Sequence, residues 1–188
     1  MLRLRAINSC LIFAVVAFSV GEEELSGIDT KPLVGHLAAW NYFMSVDDPA
    51  NEAFIDSWHQ FIKNDKRVTN DPMEAHYIGF NLWVKAVEKA GSTDTDKVAE
   101  AIIGLEVPNL TGGTAKMLKN HHITKPVLIG EIQDDGQFSV VWQTEKEVPG
   151  DAWSDFLEGS KDIISDWTPP ISCGNYNTVT KKCSGQNY

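Results

Sequence analysis

At Gly112-Gly113 the hydrophobic pattern of the chain changes from helical to strand-like, and this most limits what it can fold into. From Asp48 up to that point apolar residues recur at helical spacing. After it they come in short β-branched and aromatic runs separated by turn residues. Helical segments joined to strand segments within 188 residues predict an α/β chain rather than a bundle or a sandwich.

The helical stretch carries its own punctuation. Asp48-Pro49 predicts a helix start, with Asp at the N-cap and Pro at the first helical position. The stripe Phe54, Ile55, Trp58, Phe61 and Ile62 is one-sided, and a polar loop follows from Asn64 to Asn70. Asp71-Pro72 repeats the start signal, with Glu74 placed to reach back in a capping box and Met73, Tyr77, Phe80, Val84 and Val87 as the buried stripe. Gly91 ends that helix. A third helix is predicted over Thr95 to Leu105, with Val98, Ile102 and Leu105 on one face.

Strands are predicted over Leu33–Phe43, Ala115–Leu118, Val127–Ile132 and Phe138–Trp142. The last two flank Asp134-Asp135-Gly136, a hairpin turn signal. Beyond Pro149 the chain reads as a polar tail, residues 151–188, anchored by Trp153, Phe156 and Trp167. In that tail Cys173 and Cys183 are spaced for a local disulfide loop rather than a zinc site, and Cys10 is left over.

The N-terminus supports two readings. Arg3 and Arg5, an apolar run from Cys10 to Val20, and Ala17-Phe18-Ser19 fit a secretory signal with a small-residue cleavage site. Phe13–Val20, β-branched and followed by Gly21, equally fits a buried parallel strand.

A formal charge of −10 leaves no basic face for nucleic acid or anionic membrane. An apolar content of 43% is enough for a core. No catalytic set is expected. His121-His122 lacks partners at metal-ligand spacing, Ser160 lacks a nucleophile-elbow context, and Glu22-Glu23-Glu24 reads first as a solvated charge run. Neither a metal site nor a cofactor is expected, and the chain is not read as an enzyme.

Several segments together resemble urea or short-chain-amide substrate-binding proteins of ABC importers, within the type I periplasmic binding proteins. They are Phe18–Leu25 (Phe-Ser-Val-Gly-Glu-Glu-Glu-Leu), Val34–Phe43, Asp71–Ile78 and Trp83–Thr93. Lys119–His122, Lys125–Val127, Ile129–Ile132 and Asp135–Phe138 continue the pattern. The resemblance runs from about Val15 to the C-terminus and leaves residues 1–12 unmatched.

The resemblance implies two Rossmann-like lobes joined by hinge-crossing strands, with ligand held between them. Residues 13–150 then form the C-terminal half of an incomplete type I fold, and a full member would run to about twice this length. It also implies that Phe13–Val20 is an internal strand. The implied setting is periplasmic and the implied partners are urea or a short-chain amide and the ABC permease subunits. A cytoplasmic amide-sensing regulator on the same fold is the alternative, and it would keep Cys173 and Cys183 reduced.

The same resemblance places an acidic residue after this strand on ligand nitrogen, which points to Glu22 first and Ser19 second. Trp40 and Tyr42 fall near the hinge crossing and either line the cleft or pack in the core. Met73 and Glu74 start a helix near the cleft, and for Glu74 capping is the competing role.

Overall fold

The computed structural model describes residues 14–151 together with 153, 159, 176, 177, 179, 180, 182 and 183. The chain begins with strand β1 (Val16–Ala17), the short helix α1 (Glu22–Leu25) and a 3-10 turn (Lys31–Leu33), and then enters strand β2 (Leu37–Trp40). β1 and β2 run parallel, Val16 opposite Leu37. Of the buried strand read over Phe13–Val20, the described part forms a strand only at Val16–Ala17, and Val15, Val16 and Phe18 are exposed rather than buried.

Three helices follow, α2 (Pro49–Ile62), α3 (Asp71–Ala90) and α4 (Thr95–Ala101). Eight strands complete the described elements: β3 (Glu106–Pro108), β4 (Thr114–Lys116), β5 (Thr124–Lys125), β6 (Leu128–Ile132), β7 (Phe138–Gln143), β8 (Val148–Pro149), β9 (Tyr176–Asn177) and β10 (Lys182–Cys183). The main sheet has the order β1-β2-β6-β7, and every pairing after the first is antiparallel. β3 pairs with β4, β5 with β8 and β9 with β10, each antiparallel.

Local chemistry accounts for most boundaries. The Asp48 side chain accepts from the Ala50 amide and caps α2, and Pro49 occupies its first turn. Lys63 closes α2 in the left-handed conformation and Gly91 does the same for α3. Between β6 and β7, Gly136 has φ +80° and donates its amide to Gln133 O, which makes the reversal that Asp134-Asp135-Gly136 predicts.

Other expectations are corrected. The strand expected over Leu33–Phe43 is only Leu37–Trp40, because the 3-10 turn and Gly35, at φ +88°, occupy its first part. The third helix stops at Ala101 instead of Leu105, since Gly104 turns at φ +80° and donates its amide to Met117 O. The N-cap of α3 is Asn70, whose side chain accepts from the Met73 amide, so Glu74 takes no part in a capping box.

The stripe of α3 is also different. Glu74, Ile78, Leu82 and Ala86 are buried, while Tyr77 and Phe80 are 45% and 63% exposed. The helix is apolar on two faces. The β3–β4 hairpin supplies Val107 and Ala115, which fit against aliphatic Ile78 and Leu82. The aromatic face looks onto a groove shared with α2, where Phe54 and Tyr77 pack with ring centroids 4.9 Å apart. α2, by contrast, keeps no apolar residue fully buried, and Phe61 is 82% exposed.

Two small cores result. One joins Leu25, Ala38, Phe43, Leu128, Ile132 and Phe138 across the main sheet. The other joins Ile78 and Leu82 of α3 to Val107 and Ala115 of the β3–β4 hairpin, with Ile102 and Leu105 from the turn after α4 packed against them. Phe156, Trp167, Ser160, Cys10 and Cys173 lie outside the described residues, so the Cys173–Cys183 pairing does too; Cys183 itself sits in β10, opposite Tyr176.

The first core depends on a missing side chain. A Cβ on Gly130, beside the bulge in β6, would come within 2.8 Å of the Phe43 ring and 2.9 Å of Phe138 Cβ. These two rings already pack at a centroid distance of 4.5 Å. Gly130→Ala is expected to lower unfolding stability by about 1–3 kcal/mol through overpacking, as read by urea denaturation.

Candidate functional site

Between the two cores lies a buried polar cluster made by α1, the end of β2, the start of α3 and β5. Glu22 is the first residue of α1, beyond the carboxyl end of β1, and only 1% of it is exposed. Its Oε1 accepts the Met44 amide at 2.6 Å. Burial pushes its carboxyl up to about 7, with neighbouring Asp71 and Glu24 adding repulsion and the Met44 amide partly offsetting the rise.

The charge run is therefore divided among three roles. Glu24 reaches back to the Gly21 amide at 2.8 Å and Glu23 pairs with Arg67 on the surface. Only Glu22 turns inward. Identical neighbouring letters could not show this; α1 places adjacent residues about 100° apart around its axis.

Asp71 and Glu74 open α3 on the other side of the cluster. Glu74 is fully buried and ion-paired to Lys125 of β5, which also stands 4.0 Å from Asp71 Oδ2. Asp71 Oδ2 accepts the Asn41 amide at 2.9 Å. Burial raises both carboxyls above their usual range, and Lys125 holds each of them down in part. Lys125 is the residue that sequence reasoning missed. It sits in a two-residue strand without pattern, and its carboxylate partners, Asp71 and Glu74, come from the head of α3.

Tyr42 points into the interior. It is fully buried, its hydroxyl donates to Asn51 Oδ1 at 2.7 Å and shares a 2.7 Å bond with Thr69 Oγ1, and burial raises its pKa well above the ordinary phenol value. Trp40 is half-buried, packed against the sheet core with its Nε1 donating to Val20 O at 2.8 Å. Ser19 is exposed, and Met73 is half-buried with its amide on the Asn70 cap. Glu22, Tyr42 and Glu74 thus come together, while Ser19 stands apart. His121 and His122 lie in an exposed turn, where the His122 amide donates to Asn120 Oδ1.

Beside the cluster is a cavity of about 1030 Å³. Its walls are the Met44–Asp48 segment, Thr111-Gly112 and the β6–β7 hairpin with Gln133, Gln137 and Ser139. The Met44 amide that Glu22 holds belongs to this wall. Such a place offers hydrogen-bond acceptors at the edge of a concave, partly apolar space, which suits binding of a small polar molecule.

Residues 5–159 match the family described as "Periplasmic binding protein domain". Over 120 residues, 64% of this chain, it is 30% identical to a Geobacillus stearothermophilus protein named limonene hydroxylase. It is 28% identical, over 62% of its length, to Leu/Ile/Val-binding protein homolog 6 of Brucella abortus. The fold is similar to that of an ABC-transporter solute-binding protein from Rhodopseudomonas palustris HaA2, solved in complex with p-hydroxybenzoic acid. There the TM-score is 0.62 at 24% identity, covering 72% of this chain. The chain spans 22% and 30% of the lengths of these two relatives and 38% of the solved chain.

The cluster has two buried carboxylates, Glu22 and Glu74, a third that is partly exposed, Asp71, and one buried cation, Lys125. Glu22 folds with a carboxyl near 7, where the ordinary value is 4.5. Its protonated form therefore favours folding: that contribution is complete below about pH 4.5 and is lost as pH rises through 7. Glu22→Gln is expected to be more stable than the parent at pH 8 than at pH 4.5 by up to about 3 kcal/mol, measured by denaturant melts at both pH values. Lys125→Met is expected to cost about 3–5 kcal/mol at pH 8, because Glu74 keeps its burial and loses its counter-charge. The double variant with Glu74→Leu should recover much of that loss in the same melts.

Proposed function

This chain belongs to the periplasmic binding protein domain family and has its type I α/β fold; on that premise we propose that it is the substrate-binding part of an ABC importer. It takes up a small ligand carrying N–H donors in the periplasm and passes it to the permease subunits. Urea or a short-chain amide is the ligand class that the sequence resemblance implies. Residues 13–150 serve as the C-terminal half of the binding unit.

The observation that supports this reading is the position of Glu22, a buried carboxylate just past the carboxyl end of a parallel strand. Ligands of open α/β sheets sit at that end of the strands. Urea is small, neutral and planar, and its N–H groups need acceptors in a space from which water is excluded. Glu22 Oε1 is such an acceptor. It is occupied by the Met44 amide, so a ligand N–H takes that place as the Met44 segment shifts. The likeness to a Leu/Ile/Val-binding homolog favours a second ligand for the same carboxylate, the ammonium group of an aliphatic amino acid.

The test is amide NMR of the chain titrated separately with urea, acetamide, leucine and 4-hydroxybenzoate. Urea or acetamide should give saturable shifts at Glu22 and Met44. Glu22→Ala should weaken them by about ten- to a hundred-fold, since it leaves ligand donors unpaired at about 1–3 kcal/mol. Shifts with leucine alone would select the second reading. Shifts with 4-hydroxybenzoate alone, or binding indifferent to Glu22→Ala, would overturn both.

A further inference from the structure

We propose that Glu22 is a positioning residue whose proton sets how firmly the Met44–Asp48 segment is seated, so that pH governs one wall of the 1030 Å³ cavity. This concerns regulation of the same site, yet it holds whichever solute occupies it.

The geometry is a buried relay. Glu22 Oε1 holds the Met44 amide at 2.6 Å. The Met44 and Val46 carbonyls both accept from Asn51 Nδ2, at 2.9 and 2.8 Å. Asn51 Oδ1 in turn accepts from Tyr42, whose hydroxyl also bonds Thr69. Asn51, Tyr42 and Thr69 are each fully buried. The far side of the relay is therefore fixed, and the Glu22 link alone contains a group that changes charge near neutrality.

The charged and titratable groups around Glu22 are Glu24 on its own helix, Asp71 at the head of α3 and Tyr42 after β2. Lys125 of β5 is committed to Glu74 and Asp71. None of these supplies Glu22 with its own cation. Its ionised form is thus held by backbone amides, chiefly that of Met44, and a charged acceptor grips an N–H about twice as strongly as a neutral one. Protonation weakens the grip. Met44, Ser45 and Val46, which line the cavity, then gain freedom at their inner edge.

The experiment is hydrogen exchange of backbone amides in the ligand-free chain at pH 5.5 and pH 8, corrected for intrinsic exchange. The Met44 amide should be protected about tenfold more at pH 8, relative to the β2 amides Ala38 to Trp40, and its NMR shift should titrate with a midpoint near 7. In Glu22→Gln, which keeps the shape and an acceptor, both pH effects should vanish. Equal protection of Met44 at the two pH values in the parent chain would overturn the proposal without any variant. So would a titration that survives in Glu22→Gln and disappears in Asp71→Asn. Neither result depends on ligand, so failure here is distinct from failure of the binding titrations.

Discussion

Among the described residues, Lys125 is the one buried positive charge, and the arrangement of the seam between the two cores depends on it. Glu74 is fully buried and Asp71 nearly so, and neither is stable in that state without a nearby cation. Lys125 meets both. Asn41 adds a second tie, its amide on Asp71 and its side chain on Pro126 O. Together these groups fix the head of α3 against the end of β2 and the strand pair β5–β8. Apolar packing alone would not do so. The core residues of the sheet and those of the α3–β3–β4 unit form separate clusters, and polar groups occupy the space between them.

A counter-charge shared by two carboxylates leaves none for a third. Glu22 faces the same region, feels Asp71 as a repelling neighbour, and is stabilised mainly by the Met44 amide. A buried acceptor of this kind exchanges partners at lower cost than a paired ion would, because no cation is stranded when it moves. The features that keep Glu22 close to neutrality also suit it to accept a donor from a ligand. The wall-forming segment after β2 is tied to the same atom, so occupancy, proton and cavity shape share one point of control.

The charge run and the α3 start show how much of the site was legible. An acidic residue after β1 could be placed at the strand's carboxyl end from the order of residues, and the structure puts Glu22 there. That Glu22 rather than Glu23 or Glu24 turns inward depends on the rotation of a four-residue helix. The capping role expected of Glu74 belongs to Asn70, because the helix begins one residue earlier than Asp71-Pro72 suggested and carries Glu74 round to the buried face. Lys125 gave no signal, since the meaning of a lone lysine lies in carboxylates more than fifty residues away along the chain.

The sequence by itself determined the local elements and the family. Asp48-Pro49, Gly91 and Asp134-Asp135-Gly136 act within a few residues of themselves, through capping and allowed backbone angles, and the corresponding helix starts, helix end and hairpin are all present. Tertiary structure decided which face of each element is buried. α3 is apolar on two sides, and the choice of Ile78 and Leu82 over Tyr77 and Phe80 was made by the hairpin that packs there. It also decided the charge of the site. A carboxylate's proton depends on every group that has replaced water around it, and those groups come from α1, the segment after β2, α3 and β5 at once.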